Sequence, residues 1–183
     1  MKIKRARLVF SGSGGQGVIT AAIIFAEAAI IYEGMNATQS QTYGAAARGG
    51  ATRSDIILSD STINFPKVTQ PNILVCLTQE AYDNFSHIIR PGGTLLVDSK
   101  YVVTKQKVDA KHISLPMYAK VMDKIGKPIV FNICMLGALI GVSKLVKPES
   151  IIKVLKTKIP KDFLEMNQKA LDLGIKMGQE SII

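Results

Sequence analysis

The chain has 183 residues, 47% hydrophobic and 20% charged, which excludes a disordered polypeptide and allows a substantial buried core in a single domain spanning residues 1–183. Its 23 Lys+Arg against 14 Asp+Glu give a formal charge of +9, compatible with a nucleic acid, an acidic protein or a phosphorylated ligand. The basic residues are scattered, tryptophan is absent and no aromatic-interleaved basic stripe occurs, so a nucleic-acid-binding module is disfavoured.

Residues 1–7 run straight into a first strand at 7–10, leaving no room for an apolar signal segment, and a soluble cytoplasmic protein is expected. A glycine-rich turn follows, Gly12-Ser13-Gly14-Gly15-Gln16-Gly17, and then an alanine-rich helix over 18–32. Gly12, Gly14 and Gly17 stand at G-x-G-x-x-G spacing. In that pattern the first glycine takes a special backbone angle, the second admits a ligand, and the third lets helix and strand pack closely. Free N–H groups and the helix dipole at the start of the helix favour an anion, typically a phosphate.

Residues 36–42 read as a polar extended segment, followed by a loop, Tyr43 to Gly50, with three glycines and one arginine, Arg48. A strand over 53–58, a turn at 59–61 and a short returning strand at 62–65 are predicted as a hairpin. Residues 72–77 form an apolar strand of the kind buried on both faces of a parallel sheet. Thr78 caps a short helix over 79–85. Another buried strand covers 94–97, and a last one 112–115, with Pro116 opening a helix to 124. Residues 129–142 are apolar nearly all round and predict a buried helix, with Gly137 and Gly141 giving it a smooth face. Helices over 148–155 and 160–176 complete the chain. The fold class is therefore α/β, a three-layer α/β/α domain around a mixed, mostly parallel sheet with a Rossmann-like first turn.

A dinucleotide fold needs a carboxylate about twenty residues past the turn, at the end of the second strand. Residues 36–40 offer none, and Glu33 is poorly placed, so a free-standing nucleotide-binding reductase is disfavoured. Cys76 and Cys134 sit singly in apolar runs, and His87 and His112 are solitary; no metal, cluster or nucleophile motif is present. The isolated chain is expected to be catalytically silent, with no catalytic residue of its own.

The turn at 12–18 and the stretch Gln41-Thr42-Tyr43-Gly44-Ala45-Ala46-Ala47-Arg48-Gly49-Gly50-Ala51 together resemble the gamma subunit of 2-oxoacid:ferredoxin oxidoreductases, the pyruvate/ketoisovalerate oxidoreductase gamma-subunit family. Asn132 and Leu136-Gly137-Ala138 also fit that family. Its usual loop reads Y-G-P-E-x-R-G-G, and Ala45 and Ala46 replace the proline and glutamate, so no role for that carboxylate carries over. Arg48-Gly49-Gly50-Ala51 is more similar to the 2-oxoglutarate and branched-chain 2-oxoacid types than to the pyruvate type; indolepyruvate-type subunits are the neighbouring alternative.

The resemblance implies a subunit of a cytoplasmic complex that oxidatively decarboxylates a 2-oxoacid, foremost 2-oxoglutarate, with coenzyme A, yielding acyl-CoA, CO2 and reduced ferredoxin. It implies that thiamine diphosphate and iron–sulfur clusters lie on alpha-, beta- and delta-type partner subunits. No cofactor is assigned to this chain beyond a coenzyme A contact, expected from Gly12, Ser13, Gly14, Gly15, Gln16, Gly17, Tyr43, Arg48, Gly49 and Gly50; for Arg48 an interface salt bridge or a loop-ordering hydrogen bond is the equal alternative to a phosphate. Homodimeric contacts are expected; nucleic-acid and membrane partners are not.

Overall fold

Strand β1 (Arg5–Ser13) runs through the middle of a six-stranded sheet in which the strand order is β2-β3-β1-β4-β5-β6. The others are β2 (Asn36–Thr42), β3 (Ala51–Ser59), β4 (Ile73–Cys76), β5 (Gly93–Asp98) and β6 (Ala110–Leu115). The structure, a computed structural model, describes residues 5–42, 50–105 and 107–182. β1, β4, β5 and β6 are parallel, whereas β3 is antiparallel to both β1 and β2, so the sheet is mixed as its sequence predicts. Chain order reverses direction across the sheet at β1, with β2 on one side and β4 on the other, which puts the glycine turn beside the topological switch point.

The central strands are apolar on both faces because both faces are covered. Leu8, Phe10, Ile56, Leu58, Val75 and Leu96 point to one core, and Val9, Ile57, Leu74, Cys76, Leu95 and Val97 to the other. The first core is covered by helices α1 (Val18–Glu33), α3 (Met117–Lys124), α4 (Phe131–Ser143), α5 (Pro148–Lys158) and α6 (Lys161–Glu180). The second is covered by α2 (Gln79–Phe85) and by loops contributing Val68, Ile89 and Val102. The three layers are thus unequal in thickness.

Helix α4 is buried at every position from Phe131 to Gly141, matching its apolar sequence. It is pressed against α6 through a four-glycine contact. A methyl group at Gly137 would strike the Leu171 carbonyl, and one at Gly174 would strike the Cys134 carbonyl. Gly141 and Gly178 are equally closed to a side chain by backbone of the facing helix. Thr78 caps α2 as expected, its hydroxyl accepting from the Ala81 N–H at 3.2 Å.

One element departs from the sequence reading. Residues 62–65 do not return as a strand; the hairpin partner of β3 is β2, with Thr42 opposite Arg53 and Asn36 opposite Ser59. The reason lies in side chains that clamp the loop after β3. Arg53 Nε meets Asp55 Oδ1 at 2.6 Å, Asp55 Oδ2 accepts from the Val68 N–H at 3.0 Å, and Arg53 donates to the Val68 carbonyl. The polar run of β2 suits an edge strand, and Gln39 Nε2 donates to Ser54 Oγ across the pair at 2.7 Å.

Candidate ligand site at the glycine-rich turn

The turn at 12–17 leaves the carboxyl end of β1 and enters α1. Each of its glycines serves a distinct purpose, differently distributed from the expectation. Positive φ falls at Gly15 (88°) and Gly17 (72°), not at Gly12. Gly12 is instead the close-packing position, where a Cβ would lie 2.5 Å from Gln16 Oε1 and 2.9 Å from Val18 Cγ2. Gly17 is the N-cap of α1, and Asn132 from α4 fills the place of its missing side chain, donating from Nδ2 to the Gly17 carbonyl at 3.2 Å. Gly14 and Gly15 meet nothing within 4 Å and are exposed.

These two glycines border an open cavity of about 380 Å³, lined also by Ser13, Gly17, Thr20 and Thr52. Helix α1 has no acidic residue in its first turn and no side-chain cap, and its first backbone bond runs from the Ala21 N–H to the Gly17 carbonyl at 2.9 Å. The N–H groups of Val18, Ile19 and Thr20 therefore point towards the cavity side of the turn with the positive end of the helix dipole behind them. Such an arrangement suits one phosphate or carboxylate group.

Ser13 lines this cavity, but its N–H is already used by Gln16. The Gln16 side chain turns back, Oε1 accepting from Ser13 N–H at 2.8 Å, and so braces the turn. Tyr43, Arg48 and Gly49 lie outside the described residues. Gly50 is half-buried and leads into β3, where Ala51 sits opposite Ser13 and its N–H donates to Glu80 Oε1 at 3.3 Å. Thr42, ending β2, and Gly50, leading into β3, thus lie at the same end of the sheet as the glycine turn, although β2 is not a neighbour of β1.

Thr52 was not legible as a site residue. It joins the cavity because β3 lies against β1, where its hydroxyl donates to the Gly12 carbonyl at 3.1 Å and its own carbonyl accepts from Ser11 Oγ at 2.9 Å. Asn132 did carry a signal, the lone amide in an apolar helix. Glu33, the weak candidate for a ribose contact, is used elsewhere: its Oε1 accepts from Ser150 Oγ at 2.6 Å and from the Lys147 N–H at 3.0 Å, at the start of α5.

At the same edge, Asp98 ends β5 fully buried, accepting from the Lys100 N–H at 2.9 Å and the Tyr118 N–H at 2.8 Å. Burial holds its carboxyl above the usual aspartate range despite those bonds. Cys76 and Cys134 lie in opposite cores, and burial pushes both thiols up, Cys134 to about 12 with Asp98 adding to the effect. Among the described residues no group of three His, Cys, Asp or Glu could hold a metal ion. No helix among them is long and apolar enough to cross a membrane.

A family model described as pyruvate ferredoxin/flavodoxin oxidoreductase matches residues 7–177. The chain is 42% identical over 178 residues to the 2-oxoglutarate synthase subunit KorC of Methanocaldococcus jannaschii, covering 96% of this chain and 95% of that protein. The crystal structure of the gamma subunit of a keto/oxoacid ferredoxin oxidoreductase from Geobacter sulfurreducens matches with a TM-score of 0.89 and 38% identity, over 98% of this chain and 99% of that one. The 2-oxoglutarate:ferredoxin oxidoreductase of Magnetococcus marinus, solved with 2-oxoglutarate, coenzyme A and succinyl-CoA bound, shares the fold with a TM-score of 0.88 at 20% identity. The match covers 98% of this chain but 32% of that polypeptide, so there the same fold is one part of a longer chain.

Proposed function

The chain belongs to the pyruvate ferredoxin/flavodoxin oxidoreductase family, and from that premise we propose that it is the gamma-type subunit of a 2-oxoglutarate:ferredoxin oxidoreductase. The observation that carries this reading is the 42% identity with a 2-oxoglutarate synthase subunit over nearly the full length of both proteins. The whole chain acts as one subunit domain of a cytoplasmic complex. Thiamine diphosphate and the iron–sulfur clusters belong to the alpha-, beta- and delta-type partners, which also deliver electrons to ferredoxin.

Within that division of labour, this chain contributes a binding surface. The uncapped first turn of α1 and the open backbone at Gly14 and Gly15 receive an anionic group of coenzyme A. Thr52 closes the side of the cavity, and Asn132 holds Gly17 in register beneath it. Arg48 supplies a guanidinium to the same group, which it can grip with two parallel hydrogen bonds. A free-standing reductase is less well supported, because β2 ends in Gln41 and Thr42 without a carboxylate and Glu33 is engaged with α5.

The test is reconstitution. Coexpressed with its partner subunits, the chain is expected to copurify with them and to support 2-oxoglutarate- and coenzyme A-dependent reduction of a viologen dye. The purified chain alone is expected to give no turnover. A complex that prefers pyruvate or 2-oxoisovalerate would overturn the substrate assignment, and NAD(P)H oxidation by the single chain would favour the reductase. Arg48→Ala in the assembled complex should raise the coenzyme A requirement about ten- to a hundredfold while leaving that for the 2-oxoacid unchanged.

A further inference from the structure

The opposite edge of the sheet holds a second concavity, of about 500 Å³, at the amino ends of β1, β4 and β5. Four cations line it, Arg5, Arg7, Lys67 and Arg90, and its described lining includes no carboxylate. Among the described residues no ion pair engages any of the four. Sequence position gives no hint of this gathering, since the four come from the first strand, the loop after β3 and the turn before β5.

The cavity is built on fixed backbone. The Arg7 N–H donates to Asn72 Oδ1 at 2.9 Å, and the Asn72 N–H donates to the Arg7 carbonyl at 2.7 Å. The Arg90 N–H donates to the Pro71 carbonyl at 3.1 Å, and the Arg90 carbonyl accepts from the Gly93 N–H at 2.9 Å. Two guanidinium groups are therefore carried on rigidly joined strand ends, while Arg5 and Lys67 close the rim. Like charges gathered in a concave, low-dielectric wall repel one another and focus a positive potential, and an anion relieves both. Three arginines favour a ligand with several phosphoryl oxygens, which guanidinium groups grip in pairs.

Phe65 adds a different surface. It lines the same cavity, is 58% exposed, and with Pro91 makes up the apolar part of the lining. An exposed phenylalanine beside a phosphate-binding cluster offers a stacking partner to a planar base. The volume lies within the usual range for a small-molecule site. We propose that this cavity binds a small organic anion of the nucleoside-pyrophosphate class, with phosphates on Arg5, Arg7 and Arg90 and the base against Phe65. The site is separate from the glycine turn and its existence does not depend on the subunit assignment above. Nucleoside-pyrophosphate chemistry has two sources, a free nucleotide or the nucleotide portion of coenzyme A.

Calorimetric titration of the full chain with inorganic pyrophosphate, ADP and coenzyme A tests the assignment. All three are expected to bind, and Arg7→Ala and Arg90→Ala should each weaken them about tenfold or more. Phe65→Ala should weaken ADP and coenzyme A severalfold but leave pyrophosphate unchanged, a split that a purely electrostatic surface would not produce. A Lys169→Ala chain removes the same single charge from helix α6, outside the cavity lining, and should bind as the unaltered chain does. With the glycine turn obstructed by Gly14→Ala, tighter binding of ADP than of coenzyme A identifies a free nucleotide as the ligand of this cavity, and the reverse identifies the cofactor. Because Arg90 is exposed, Arg90→Glu serves if Arg7→Ala fails to fold. The proposal is overturned if none of the probes binds, if binding survives the Arg90 substitutions but not Gly14→Ala, or if only polyglutamate binds, which would make this a docking face for an acidic protein.

Discussion

Asn132 on α4 donates a hydrogen bond to the carbonyl of Gly17, 115 positions away in sequence, and its amide occupies the space that a Gly17 side chain would need. The buried helix and the glycine turn are thereby one unit, because the αL conformation of Gly17 and the polar group in α4 require each other. Asn132→Ala removes one hydrogen bond and leaves the Gly17 carbonyl without it, a loss of about 1–2 kcal/mol. Gly17→Ala is expected to cost more, since its φ of 72° strains an L-residue and its Cβ would meet Asn132 Nδ2 at 2.5 Å. Denaturant unfolding of both variants checks the order; equal or reversed losses would show that the two positions are uncoupled.

Two glycines, one in the turn before α1 and one inside α6, should respond oppositely to alanine. Gly14→Ala meets no atom within 4 Å and has no positive φ, so stability should stay level or rise by up to about 1 kcal/mol. The added methyl group intrudes on the cavity, however, and the assembled complex should need more coenzyme A. Gly174→Ala gains about 1 kcal/mol of helix propensity, yet its Cβ strikes the Cys134 carbonyl across the α4–α6 contact. The clash wins, and a net loss of about 2 kcal/mol or more is expected by urea unfolding.

Asp98 should make stability fall with rising pH over part of the acid range. Burial raises its folded-state pKa above the unfolded value, so between the two the native state holds the proton more firmly. Stability contributed by that proton is complete below about pH 4 and is lost as pH climbs through the raised value. Asp98→Asn cannot titrate, and the difference in unfolding free energy between it and the unaltered chain should change across that interval. A pH-independent difference would show that the Lys100 and Tyr118 N–H bonds cancel the burial.

Neither cysteine should behave as a reactive thiol. Both side chains are fully buried, and Cys134 titrates near 12 because of burial and the Asp98 charge. With a thiol-specific chromogenic disulfide at pH 8, the folded chain should show no fast reaction and the guanidinium-unfolded chain should release two equivalents. One fast-reacting thiol in the folded chain would contradict the burial of that core.

Much of the architecture is local and was legible in the chain. The glycine turn between strand and helix, the apolar strands of a doubly covered sheet, the Thr78 cap and the buried helix α4 follow from residue spacing and hydrophobic run length. The family resemblance carried by residues 12–18 and 41–51 pointed to the same oxidoreductase family as the whole-chain comparison. What the tertiary structure decided depends on partners distant in sequence. β2, a polar run by itself, became a strand only by pairing with β3, while Arg53 and Asp55 drew residues 60–72 away from the expected hairpin. Gln16 turned inward because the Ser13 N–H lay within reach, and Gly174 and Gly178 proved to match Gly137 and Gly141 only once α6 crossed α4. The basic cavity has the same origin. Its four cations acquire meaning from parallel strands that bring separate amino ends to one edge, and no sequence window contains that juxtaposition.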